Sequence, residues 1–419
     1  VGLRLGIDIG TSGCRAAVID EAGTLLDSER VAVAEPQRDG SAVSQDPALW
    51  WEGTRTALRG LLQRVDANAI TGIAVDGTSG TVLVTDAAGE PLAPALLYND
   101  TRAGKEGAAI NAVAPADSPA RGAGSGAARG LWLLARHPEA AHLLHQADWI
   151  TGRLTGHFGH SDPNNALKTG WDPISGNWPA WIADTGLAPD LLPAIHPAGT
   201  DLGPLEPAIA ADLGLPPSVR VGSGTTDSTA AVLAAGADKP GDAVTILGST
   251  LVLKVVSAEP VAEAKTGVYS QPFGRYWLAG GASNSGGTVL RAFFDDERLA
   301  ALTGEMEPEQ PTGLDYYPLP APGERFPEND PNKAPRMEPR PADDAHFLQG
   351  LLEGMSTIES AGYARLRELG APAPRRVLTL GGGARNPAWT RIRERVLGVP
   401  VIAHPEAEPA AGTARLAPV

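Results

Sequence analysis

Leu5-Gly6-Ile7-Asp8-Ile9-Gly10-Thr11-Ser12-Gly13-Cys14-Arg15 reads as an apolar strand with one acid in its middle, and a glycine-rich turn follows at once. A carboxylate among apolar neighbours costs several kcal/mol unless something pairs with it. The turn beside it offers backbone N–H groups and hydroxyls, which suit phosphate oxygens. A metal–nucleotide satisfies both at once, with the cation facing Asp8 and the phosphates facing Thr11, Ser12 and Gly13.

Outward from that stretch the chain opens as a hairpin, Leu3–Ile9 and Cys14–Ile19. An echo follows in Gly72-Ile73-Ala74-Val75-Asp76-Gly77-Thr78-Ser79-Gly80, which suggests two turns of one sheet aimed at one cleft. Asp46 caps a helix running to about Val65, and residues 121–180 read as helices with loops. Val219–Gly224 reads as a strand leading into Thr225-Thr226-Asp227 and the alanine-rich helix Ser228–Ala235. Ala243–Leu247 and Leu251–Val256 form a second hairpin around Gly248-Ser249-Thr250. The eight prolines of Pro318–Pro341 mark a surface excursion and not an element. Asp343 or Asp344 caps a helix to about Leu369, with Phe347, Leu351, Met355 and Ile358 on one face. The strand Arg376–Leu380 then meets Gly381-Gly382-Gly383. Alternating strands and helices make the class α/β.

The 419 residues are enough for two domains, each with its own core. A formal charge of −15 argues against nucleic acid or an anionic membrane as partner. The six lysines are scattered, so a phosphate site must use backbone N–H groups, hydroxyls, arginines and a divalent cation. Cys14 is the single cysteine, which excludes an internal disulfide and a thiolate zinc site. The eight histidines show no ligand spacing, no P-loop occurs, and no apolar run approaches the ~20 residues that span a bilayer. These features predict a cytoplasmic protein; they leave its oligomeric state open.

Taken singly, the motifs admit plain readings. Asp227 reads as an N-cap as readily as a base, and Asp8, Thr11, Ser12, Ser79 and Thr250 all occur in ordinary turns. Gly381–Gly383 is either a tight turn or a flat platform for adenine or ribose, with Asn386 in hydrogen-bonding reach. Their order along the chain is more informative. It resembles the FGGY family of carbohydrate kinases, within the sugar kinase, Hsp70 and actin superfamily, over essentially the whole length. Leu5–Arg15 is similar to that family's first phosphate loop, Ala243–Thr250 to its second, and Leu378–Pro387 to its adenosine motif; Asp227 falls where the family keeps its catalytic base. The segments Asp76–Thr81, Leu96–Asp100, Gly280–Asn284 and Gly313–Pro320 resemble a short pentulose-kinase branch whose members are D-ribulose kinase-like and often labelled xylulose kinases. One departure is Tyr98-Asn99-Asp100-Thr101-Arg102, where the family often has Trp-x-Asp-x-Arg.

The resemblance implies two RNase H-like, actin-type α/β domains around a deep catalytic cleft. Residues 1–234, rejoined by 408–419, form the sugar-binding domain, and residues 235–407 the nucleotide-binding one. It implies an ATP- and Mg2+-dependent kinase acting on the terminal hydroxyl of D-ribulose or D-xylulose. Asp227 is then the base, and Asp8 orients sugar and Mg2+. Asp8, Ser79 and Asp227 hold the sugar; Thr11, Ser12, Gly13, Arg15, Gly248, Ser249 and Thr250 hold phosphates; Gly381, Gly382, Gly383 and Asn386 hold the nucleoside. Two other classes share these turns: an actin-like ATPase that drives a conformational change, and a sugar-binding regulator without kinase activity.

Overall fold

A computed structural model describes residues 2–405 and 407–419. Its internal contacts divide the chain into two compact units, Val1–Ala234 with Glu408–Val419, and Ala235–Ala407.

In the first unit the strand Leu3–Ile9 is buried on both faces from Leu5 onward. It pairs antiparallel with Gly13–Ile19 and parallel with Ile70–Gly77. Those three strands form the middle of a seven-stranded sheet, in the order Asp201–Pro204, Arg220–Gly222, Ile70–Gly77, Leu3–Ile9, Gly13–Ile19, Leu25–Ala32, with Thr225–Thr226 also on Ile70–Gly77. Against it lies the helix Pro47–Leu62, whose first turn is fixed by Asp46 Oδ1 accepting from the Ala48 N–H at 2.9 Å. Trp50, Ala57, Leu58 and Leu61 recur at helical spacing and are buried, the two leucines contributing roughly 1.5–3 kcal/mol each. The sheet's other cover is the short helix Pro409–Ala414, near the chain's end. It approaches so closely that a Cβ at Gly6 would lie 1.9 Å from the Ala410 carbonyl. Only glycine admits that contact.

The echoed segment begins as expected and then diverges. Asp8 and Asp76 are register partners on neighbouring parallel strands, but the strand after the second turn, Val82–Thr85, belongs to a separate five-stranded sheet. Its partner there is His142–His145, a strand inside a region that reads as helix and loop from sequence.

The second unit is built on a six-stranded sheet, Tyr269–Phe273, Tyr276–Ser283, Leu251–Ser257, Asp242–Leu247, Arg376–Leu380, Val401–Ala403. The helix Asp344–Glu368 is capped by Asp343 and buries Phe347, Leu351, Met355 and Ile358, the stripe expected from its periodicity. Residues 318–341 form no helix, but they are more than a surface excursion. Phe326 is fully buried in the core, and the buried Glu324 accepts from the Ser283 hydroxyl at 2.6 Å and the Asn284 N–H at 2.8 Å. An aromatic side chain with a polar anchor beside it outweighs the local proline signal.

Candidate active site

Asp8, Asp76 and Asp227 reach one end of one sheet from three segments of the chain. Asp8 stands opposite Asp76, Thr225 pairs with Asp76 on its other flank, and Asp227 follows as the first residue of the helix Asp227–Ala234. All three strands run parallel, so the acids collect at their carboxyl ends, where open α/β sheets bind ligands.

Asp8 is 2% exposed and Asp76 0%. Arg15, one strand over in the hairpin, places Nη1 2.6 Å from Asp8 Oδ2. Asp76 has no cation within ion-pair distance among the described residues. Its Oδ2 accepts from the Thr413 hydroxyl, on the short closing helix, and its Oδ1 has no hydrogen-bond partner. Burial, and after it the charge of Asp8, pushes the Asp76 pKa well above the ordinary carboxylate range; Thr413 pulls it back, and the Asp227 charge adds to the rise. Asp76 therefore favours its protonated form more than an exposed carboxyl does. Like charges this close do not all ionise.

Asp76 is the residue that reading the sequence for single motifs passes over. The signal was the echo itself, because aligning Ile7-Asp8 with Val75-Asp76 puts the second acid opposite the first.

Both turns of this unit are anchored from behind. The Gly10 N–H donates to Gly13 O at 2.9 Å, Gln45 Nε2 to Thr11 O at 3.1 Å, and the Val33 N–H to Ser12 O at 3.1 Å. Arg15 lies beside this turn but is committed to Asp8, with Glu408 at 3.8 Å. In the second turn, the Thr78 N–H and hydroxyl both donate to Gln146 Oε1, at 2.9 and 2.8 Å. The fully buried Arg129 guanidinium donates to Gly80 O at 2.7 Å, Asp100 O at 2.8 Å and Tyr98 O at 3.1 Å, while burial lowers its pKa to about 10. Ser79 sits between those anchors, and its hydroxyl has no partner among the described residues. The Tyr98–Arg102 segment is fastened by Asp100, whose Oδ2 accepts from the Val43 N–H at 2.7 Å.

In the second unit, Gly248, Ser249, Gly382, Gly383 and Asn386 line a common cavity of about 760 Å³. That volume suits a nucleotide-sized ligand. Leu290, Leu299 and Trp389 supply apolar wall, and Arg291 and Arg385 supply positive charge. Gly287 N–H donates to Gly248 O at 2.9 Å, tying the Gly-Ser-Thr turn to the start of the next helix. Gly381 has φ of +84°, a left-handed conformation that brings the triple glycine over Leu247, and Gly382 beside it faces open space. Thr250 lies next to this cavity without lining it. Asn386 is more occupied than its motif suggests. Its Oδ1 caps the helix Pro387–Leu397 through the Trp389 N–H at 2.9 Å, and its Nδ2 donates to Thr303 Oγ1 at 3.0 Å.

Among the described residues no three His, Cys, Asp or Glu side chains are grouped to hold a metal ion, and no helix is long and apolar enough to cross a membrane.

Comparison with known proteins adds to this geometry. The N-terminal domain model of the FGGY family of carbohydrate kinases matches residues 3–234, and its C-terminal domain model matches residues 243–419. The chain is 26% identical to the xylulose kinase of Escherichia coli (strain K12), over 100% of this chain and 90% of that protein. It is 29% identical to the xylulose kinase of Streptomyces coelicolor, over 95% and 84%. The crystal structure of xylulose kinase from Rhodospirillum rubrum superposes with a TM-score of 0.86 at 26% identity, over 99% of this chain and 89% of that one.

Proposed function

The chain belongs to the FGGY family of carbohydrate kinases and is an ATP-dependent sugar kinase, and from that premise we propose that its acceptor is the terminal hydroxyl of a 2-ketopentose, D-xylulose or D-ribulose. The relatives named xylulose kinases support the first of these. The observation that carries the reading is the meeting of Asp8, Asp76 and Asp227 beside the Ser79 turn. An acid cluster accepts hydroxyl hydrogens, which is what a polyhydroxy acceptor presents.

In this reading Asp227 takes the proton of the attacking hydroxyl. The transition state is loose, so placement matters more than basicity and an ordinary carboxylate suffices. Asp8 and Ser79 fix the sugar, with Asp8 held in turn by Arg15. Thr11, Ser12 and Gly13 receive phosphate oxygens in the first unit. Gly248, Ser249 and Thr250 do so in the second, where Gly381–Gly383 form the nucleoside platform and Asn386 shapes its edge.

The residues present fit Mg2+ carried in on the nucleotide. Such ions take one or two carboxylates and complete their shell with phosphates and water, and here Asp8 stands beside the unpartnered Asp76 Oδ1. Once bound, the ion neutralises phosphate charge. Both substrates are found in the cytoplasm, where we place the enzyme.

Coupled measurement of ADP release over pentuloses, hexuloses, polyols and glycerol tests the proposal. The expected outcome is the highest kcat/KM with a pentulose. ADP release indifferent to sugar would favour the ATPase class, and a best substrate outside the ketoses would overturn the acceptor assignment.

A further inference from the structure

A 2-ketopentose closes its ring through the oxygen on C5. If that oxygen is the phosphate acceptor the sugar is open, and C2 presents a carbonyl. Its oxygen accepts hydrogen bonds and donates none, and carboxylates likewise only accept. Asp8 and Asp227, the acids that meet the sugar in the reading above, therefore have nothing to offer a ketone as carboxylates. The first unit supplies the missing donor in Lys168.

Lys168 lies in the one-turn helix Leu167–Thr169, held by Thr169 Oγ1 at 2.8 Å from His145 Nε2. The preceding turn, Pro163–Ala166, is bolted to the strand that delivers Asp227: Asn165 Nδ2 donates to Thr225 O at 2.9 Å, and Asn164 Nδ2 to Thr225 Oγ1 at 3.1 Å. The lysine stem crosses Gly80, where a Cβ would meet Lys168 Cδ at 3.3 Å, next to Ser79. The residue as a whole is half-buried, and among the described residues its ammonium has no hydrogen-bond or ion-pair partner. The charged groups that act on it are the Asp227 carboxylate and the Arg129 guanidinium. Burial lowers its pKa, Asp227 raises it and Arg129 lowers it further. A withdrawn ammonium without a protein acceptor, within the field of the base yet outside ion-pair distance of it, suits an oxygen a few carbons from the reacting hydroxyl.

We infer that Lys168 is a specificity residue of the sugar site, donating to the C2 carbonyl oxygen of the open-chain ketose and so selecting ketoses over pentitols. The inference rests on the pentulose reading above.

The test is steady-state kinetics on the full chain as wild type, Lys168→Met and Lys168→Arg. Substrates are D-xylulose and D-ribulose against D-arabinitol and ribitol, with inhibition constants replacing kcat/KM for any pentitol turned over too slowly. The ketose-to-pentitol ratio is internal to each variant, so partial misfolding does not move it. Lys168→Met is expected to lower ketose kcat/KM roughly 10²-fold, chiefly through KM, with pentitols changing less than about threefold and the KM for ATP unchanged. Lys168→Arg, which keeps a charged donor, should recover part of the ratio. Equal losses for ketose and pentitol, or no loss for either, would overturn the inference while leaving the pentulose reading intact. A wild type inactive on every pentulose would overturn that reading, and this one with it.

Discussion

Two pairs of buried carboxylates, one pair in each unit, are held in opposite ways. Glu359 and Asp242 of the second unit are matched to arginines. Glu359 and Arg393, both buried, share two contacts of 2.7 Å, and Arg393 also donates to Thr379 Oγ1 at 2.6 Å. Asp242 resists the upward push of burial because Arg376 pairs with it, and its pKa falls to about 2. In the first unit Asp76 is answered by a hydroxyl, and Asp162 by amides and backbone N–H groups, so that burial lifts Asp162 to about 7. Where charge is fully compensated the pair is structural. The partly unanswered charge at Asp76 falls where the proposed site lies, and perturbed carboxyls of that kind mark candidate sites.

The sharpest way to break this contrast is Asp227→Ala. Turnover should fall roughly 10²–10⁴-fold, with ATP affinity by calorimetry nearly unchanged; intact turnover would remove Asp227 from the mechanism. In the other unit, Glu359→Ala strands Arg393 in the core and should cost about 3–5 kcal/mol in urea unfolding, whereas the apolar double variant Glu359→Leu/Arg393→Met should regain most of it. If both variants kept full stability, the pair would not be structural.

A third test concerns Asp162. The folded chain holds its proton with a pKa near 7, against 3.8 ordinarily. Its contribution is therefore greatest below the lower value and is lost as the pH climbs to the higher one. Relative to wild type, Asp162→Asn should gain on the order of 1–3 kcal/mol between about pH 4 and pH 8. A pH-independent difference would show that Asp162 titrates normally. The smallest effect belongs to Cys14, whose thiol is buried against Thr54 and, chiefly through that burial, is pushed up to about 12. Native protein should react with a thiol reagent far more slowly than urea-unfolded protein.

Much of this architecture was legible in the chain. The opening hairpin is found within a residue of where the apolar run and the Gly-Thr-Ser-Gly turn put it, Asp46 caps the helix it was read to cap, and of the two candidates Asp343 and Asp344 it is Asp343 that caps the other. Those signals are local. His142-Leu143-Leu144-His145 carries no such signal, since it is a strand only because Val82–Thr85 lies alongside. Phe326 was obscured by its prolines, and its place in the core is set by residues such as Leu253 and Gly281 far away in sequence. At the site, Asp8 and Asp227 declared themselves through their turns. Asp76 needed the register between two strands, and Lys168 a packing contact with Gly80, neither of which spacing along the chain encodes.

The hydroxyl that answers Asp76 comes from Thr413, in a helix so tightly seated that Gly412 is pressed onto the Ala230 carbonyl. A ribosome makes this helix after the whole of the second unit. A nascent chain that has emerged only through Ala234 still lacks that cover over Gly6 and the donor for Asp76, so the acid end of the first sheet is finished only after the entire second unit has been synthesised.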